Sequence, residues 1–163
     1  MHVLLAVLAI TLLISGTAPI EARAESPTPY SGTQSFDTGV VFKPFVGAMP
    51  NAIKGNGFAI IGIACANCAI KSKFKEIIPG NRVFLFFRPD YARRMLQAST
   101  AAGIEAPIRL YVTETPAGTA QVTYRLPSHV FGAYEVAELT AMGKELDTRV
   151  AAIIADALKA ANQ

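Results

Sequence analysis

Two cysteines, Cys65 and Cys68, are the residues in this sequence whose type and spacing promise reactive chemistry. They stand three apart in Cys65-Ala66-Asn67-Cys68, after the apolar run 58–64 and before residues suited to a helix. A thiol at a helix N-terminus has a lowered pKa, because the helix dipole favours the thiolate. Lys71, Lys73 and Lys75 add positive charge nearby. Such a pair can chelate one soft ion, copper(I) above all, or hold a sulfur species. It can also run thiol–disulfide exchange as an oxidoreductase, with Cys65 as nucleophile and Cys68 as resolver. Two quieter uses compete: a structural disulfide in a non-catalytic interaction domain, and two small buried apolar side chains. A disulfide spanning so few residues removes little entropy from the unfolded chain, which weighs against a staple. Ala64, Ala66 and Ala69 are small, so the turn is open to a ligand or partner.

His129 is the candidate third ligand or proton shuttle, against the commoner role of a surface or capping histidine. With only two histidines in the chain, a multi-histidine metal centre is excluded. Met49, Met95 and Met142 offer thioethers to copper, although core packing is the ordinary use of methionine. Arg88, Arg93, Arg94 and Arg109 would make an anion site if they clustered; scattered arginines usually form a solvated face. No Ser/His/Asp set, paired carboxylates or phosphate loop is present in the sequence, so no catalytic residue is assigned. The expected function is therefore binding, with Cys65, Cys68 and, more weakly, His129 as metal ligands.

The 163 residues suffice for one domain with a sizeable core and are short for two. Apolar residues make up 52% and charged residues 17%, which excludes wholesale disorder. Net charge is +3 and is scattered apart from the three lysines, too thin for a nucleic-acid surface.

The elements that must position the cysteines follow from periodicity. Residues 58–64 and 83–87 are short apolar runs bounded by turn signals, hence strands, and 83–87 is apolar on both faces and so central. Residues 70–78 suit one or two helical turns ended by Pro79-Gly80. Pro89 opens a helix through Ala102 that Gly103 closes. Residues 108–113 and 120–126 alternate, and Thr115-Pro116-Ala117-Gly118 joins them as a hairpin. Ile108, Leu110 and Val112 then face one side, and Arg109, Tyr111 and Thr113 the other. Residues 135–160 carry Val136, Leu139, Met142, Leu146, Val150, Ile153 and Ala157 at spacings of three or four, a helix about 39 Å long. Residues 35–55 have a helical spacing that Pro44 and Pro50 interrupt. A few strands with one long helix across a face make an α+β layer.

The N-terminal stretch reads as an address. Residues 3–14 are apolar or nearly so, while a membrane-spanning helix needs about 20. Ser15, Gly16 and then Ala22-Arg23-Ala24 supply the small residues that signal peptidase reads, which puts the cut after Ala24. The expected organisation is a signal peptide over 1–24, a flexible Pro/Ser/Thr/Gly-rich arm over 25–34 and a single domain over 35–163. Export to the periplasm or medium follows, with membrane contact only through the signal peptide, and an oxidising compartment favours a disulfide at rest.

Three resemblances bear on these residues. Gly62-Ile63-Ala64-Cys65-Ala66-Asn67-Cys68-Ala69 resembles the metal loop of heavy-metal-associated domains, with Ala64 where a threonine usually stands. The order strand, CxxC, helix, strand, helix, proline resembles thioredoxin, with Pro107 in the place of its cis-proline. That resemblance implies parallel pairing of 58–64 with 83–87. However, Ala64 replaces the usual aromatic and Ile108 the usual threonine. Most of the mature chain is similar to the family of domain of unknown function 302. The carrying residues are Arg88-Pro89-Asp90-Tyr91-Ala92, Met95-Leu96, the run 101–109, Tyr111-Val112-Thr113-Glu114 and the run 124–131. Residues 36–62 resemble that family's first helix and following strand. The resemblance implies a TATA-binding-protein-like order: strand, helix, four mostly antiparallel strands, long helix. It brings no catalytic residues.

Overall fold

The computed structural model describes residues 30–163, so the expected signal peptide and the first half of the expected arm lie outside the described residues. The chain runs β1 (Thr33–Val41), α1 (Phe42–Gly55), β2 (Ala59–Ala64), α2 (Ala66–Phe74), β3 (Asn81–Phe87) and α3 (Pro89–Ala98). A 3-10 turn (Thr100–Glu105) follows, then β4 (Ile108–Glu114), β5 (Thr119–Arg125), α4 (Pro127–Gly132) and α5 (Ala137–Ala161). Five strands form one sheet in the order β1-β5-β4-β3-β2, every neighbouring pair antiparallel. Strands β2 to β5 are a meander, and α1 carries the chain from β1 at one edge to β2 at the other.

One face of this sheet is the core. Phe84 and Phe86 of β3, Leu110 and Val112 of β4, and Ala120 and Val122 of β5 are buried. They form one cluster with Phe45, Met49 and Ile53 of α1 and with Leu139, Leu146, Val150 and Ile153 of α5. Leu110 opposite Tyr124 and Val112 opposite Val122 set the register. The alternate residues Arg109 and Tyr111 point to the other face and are exposed. The α+β expectation holds: a five-stranded antiparallel sheet with a long C-terminal helix packed on one face.

The thioredoxin alternative fails on topology. β2 pairs with β3 antiparallel, Ala64 against Val83 and Ala59 against Phe87, where a thioredoxin core needs these strands parallel. Pro107 does follow a cis peptide bond, yet it opens β4 at the sheet end opposite the cysteines.

Several expected elements shift. Residues 33–41 form a strand where a single interrupted helix was expected over 35–55. The open edge of β5 supplies its partners, from Thr33 opposite Arg125 to Asp37 opposite Gln121, and Gly39 with φ +69° sits in the irregular stretch before Val41. Only 42–55 is helical, which places Pro44 in the first turn, where its missing N–H has no intrahelical acceptor to lose. Pro50 does sit inside α1; burial of Phe45, Met49, Ala52 and Ile53 outweighs the lost bond. The helix from Pro89 stops at Ala98, where Ser99 is extended, and a 3-10 turn completes the expected length. Leu126 leaves the strand to cap α4, a short helix that had no expectation over it; Pro127 opens it.

Candidate functional site

The cysteine loop hangs from the free edge of the sheet. β2 has β3 on one side only and delivers Cys65 as the N-cap of α2. Cys65 Sγ accepts the backbone N–H of Cys68 at 3.1 Å, so a sulfur does what a serine or aspartate oxygen ordinarily does there. That is why α2 starts at Ala66, four residues before the expected start; cysteine is not a customary cap signal. The helix ends at Phe74 with Lys75 left-handed, φ 62°, as its C-cap. Lys71 and Lys73 occupy its last turn.

Cys65 and Cys68 are joined in a disulfide with 5.3 Å between Cα atoms. Cys65 is half-buried and Cys68 exposed. Side chains on β3 hold the loop. Asn81, the one buried polar residue among those described, accepts the N–H of Ala66 at 3.1 Å and of Asn67 at 3.4 Å through Oδ1. Two of the helix's first donors are thereby satisfied. Asn67 Oδ1 in turn accepts Arg82 Nη1 at 2.6 Å and the N–H of Asn81 at 3.3 Å, and lies 3.1 Å from Cys65 Sγ. Asn67, Asn81 and Arg82 are positioning residues that the sequence reasoning missed. Their only signal was an amide inside the cysteine motif and Asn81-Arg82 at the head of the next strand.

No side chain of α2 is buried, and Phe74 and Ile77 are 59% and 85% exposed. The helix therefore sits on the surface, tethered by polar contacts and not by a core stripe.

The other candidates disperse. Ala64 pairs with Val83 and Asn81 with Thr113, so the cysteines lie at the end of the sheet where β4 finishes. His129 lies in α4, after β5 has run back to the opposite end and the opposite side, with Nε2 3.4 Å from Ser31 Oγ. The structure does not bring it to the sulfurs. Among the described residues no group of three or more His, Cys, Asp or Glu gathers as a metal set. Met49, Met95 and Met142 are all core residues.

The four arginines do not cluster either. Arg88 forms a double hydrogen bond to Asp90 at 2.7 and 2.6 Å and stacks over the rings of Tyr91 and Phe58. Its hydrogen bonds hold the Asp90 carboxyl down at about 2. Arg94 bonds Glu145 and Glu138, which raises its own pKa and lowers that of Glu145. Arg93 is exposed on α3, and Arg109 lies apart on β4.

Fold and site together define a small α+β protein with a partly exposed cysteine pair on an edge-strand turn. The chain belongs to the family described as domain of unknown function DUF302, whose pattern matches residues 35–157. A solved relative is the uncharacterized conserved DUF302 protein from Bacillus stearothermophilus. At 17% identity and a TM-score of 0.68, the match covers 77% of this chain and 98% of that one, and it shows the shared fold. No curated protein matches this chain.

Proposed function

We propose that this protein is an exported binding module whose Cys65 and Cys68, once reduced, hold one soft cation of the copper(I) kind, or a sulfur species, between two thiolates. The observation that carries this reading is the donor set itself. Two sulfurs are in contact on an exposed turn, and no third His, Cys, Asp or Glu joins them among the described residues. Zinc in structural sites takes four ligands, so two sulfurs are a poor zinc site; a soft monovalent ion is served by few thiolates. The residues present thus fit copper(I). Loading needs the disulfide opened first: a thiol reductant supplies two electrons and two protons, its own sulfurs pairing, and the thiols then release protons as the cation binds.

The test is anaerobic titration of the reduced full chain with copper(I) against a chromophoric chelator. One equivalent is expected, lost in both Cys65→Ser and Cys68→Ser, and kept in His129→Ala. Retention by both cysteine variants would sink the reading.

A second reading, thiol–disulfide exchange, is favoured by one contact: the Cys68 N–H on Cys65 Sγ would stabilise a Cys65 thiolate. Cys68→Ser should then trap a mixed disulfide on Cys65 when offered a model disulfide. Cysteine variants that lose stability alone, with neither metal binding nor exchange affected, would make the pair a staple.

A further inference from the structure

The end of the sheet far from the cysteines carries an independent feature. Leu110 stands opposite Tyr124 and Tyr111 opposite Thr123, so the same register sets Arg109 opposite Arg125. Both arginines are exposed and both line one small cleft, with Glu105, Pro107, Ile108 and Phe131. The ion pairs among the described residues use Arg88 and Arg94, so no described carboxylate lies within 4.0 Å of Arg109 or Arg125. Like charges directly opposite on neighbouring strands repel and destabilise the pairing. Glu105 lines the same cleft without pairing either arginine: its Oε1 accepts the Tyr134 hydroxyl at 3.1 Å and forms no ion pair with them. Two guanidinium forks side by side suit an oxyanion, which each can hold through paired N–H donors. Pro107, Ile108 and Phe131 give the same cleft an apolar wall. Its volume of about 60 Å³ admits a handful of heavy atoms and no large cofactor.

We propose that this cleft binds a small organic carboxylate with a short apolar substituent, its head between Arg109 and Arg125 and its substituent against Pro107, Ile108 and Phe131. The site is separate from the cysteine pair and stands whether or not that pair binds metal.

The experiment is an NMR titration of the isotope-labelled full chain at low salt with isovalerate, acetate and inorganic phosphate. Isovalerate should shift the Arg109 and Arg125 side-chain N–H signals saturably, with at least about tenfold higher affinity than acetate because of its extra buried carbons. Arg109→Gln and Arg125→Gln should each weaken isovalerate about tenfold. Glu105→Gln should tighten it by removing a like charge from the cleft. Either arginine variant should melt no lower than the parent, since it relieves the opposed charges. A lower melting temperature in both arginine variants would show that the pair serves the fold, and the proposal falls. It falls equally if no signal saturates, or if isovalerate binds no tighter than acetate or phosphate.

Discussion

The sulfur of Cys65 sits in the hydrogen-bond position of a helix cap, so the same atom both ends β2 and would carry the site's chemistry. Its supports are two amides and a guanidinium, none of which reacts; Asn67, Asn81 and Arg82 fix where the sulfur points. The Arg88–Asp90 ion pair can be checked by pH. Arg88 depresses Asp90 to about 2 from an ordinary value near 3.8. A depressed carboxylate contributes stability above its unfolded pKa and loses it as pH falls through the folded value. The contribution is therefore present above about pH 4 and fades between about 4 and 2. Asp90 is 56% exposed, so screening keeps it below about 1 kcal/mol. An NMR titration should find the Asp90 carboxyl midpoint near 2, and Arg88→Met should return it towards 3.8. An unchanged midpoint in the variant would show that the pair does not persist in solution.

Among the elements, α5 and α4 meet at Gly143. A Cβ there would stand 2.8 Å from the Pro127 carbonyl oxygen and 2.8 Å from Ser128 Cα, both backbone atoms that cannot swing aside. Gly143→Ala gains about 1 kcal/mol of helix propensity and forces α4 outward, an overpacking cost of about 1–3 kcal/mol. It should be destabilising, with a lower denaturant midpoint. Gly47 in α1 is the opposite case, because nothing lies within 4 Å of its added Cβ. Gly47→Ala should raise stability by about 0.5–1 kcal/mol. Equal effects at both glycines would contradict the close approach of α4 to α5. The buried stripe of α5 has its own measure: Leu146, 2% exposed, should cost about 2–5 kcal/mol as Leu146→Ala.

Across the whole molecule, stability is unevenly placed. β3, β4 and β5 are interior strands, whereas α2 buries no side chain and hangs from an edge. Hydrogen exchange should therefore find α2 amides opening far more readily than those of β4, by local unfolding short of global unfolding. Equal protection would show that α2 is locked to the core. The proposed export has its own check: mass spectrometry of the protein from the periplasm or medium should find Glu25 at the N-terminus, and intact Met1 in a membrane fraction would overturn it.

What the residues alone determined is whatever a single element's periodicity or turn chemistry dictates. Val83 to Phe87 reads as a central strand, and it is an interior one, although only its Phe84 and Phe86 face is buried. Thr115 to Gly118 closes a hairpin because Gly118 accepts φ +80°. The stripe from Leu139 to Ala157 can only be buried. The Cys65–Cys68 spacing brings two sulfurs into reach in any turn that starts a helix. Tertiary structure decided the rest, through partners distant in sequence. Residues 33–41 are a strand because β5 offers them an open edge, and no local pattern announces that. Asn81 and Arg82 become the scaffold of the cysteine loop only once β3 lies beside β2. His129 was near the cysteines only as a type of residue; the meander carries it to the other end of the sheet. Arg109 and Arg125 meet because β4 and β5 pair in one register, and a slip of one residue would have turned either to the core. Local sequence sets the elements, whereas long-range backbone pairing decides which side chains share a site.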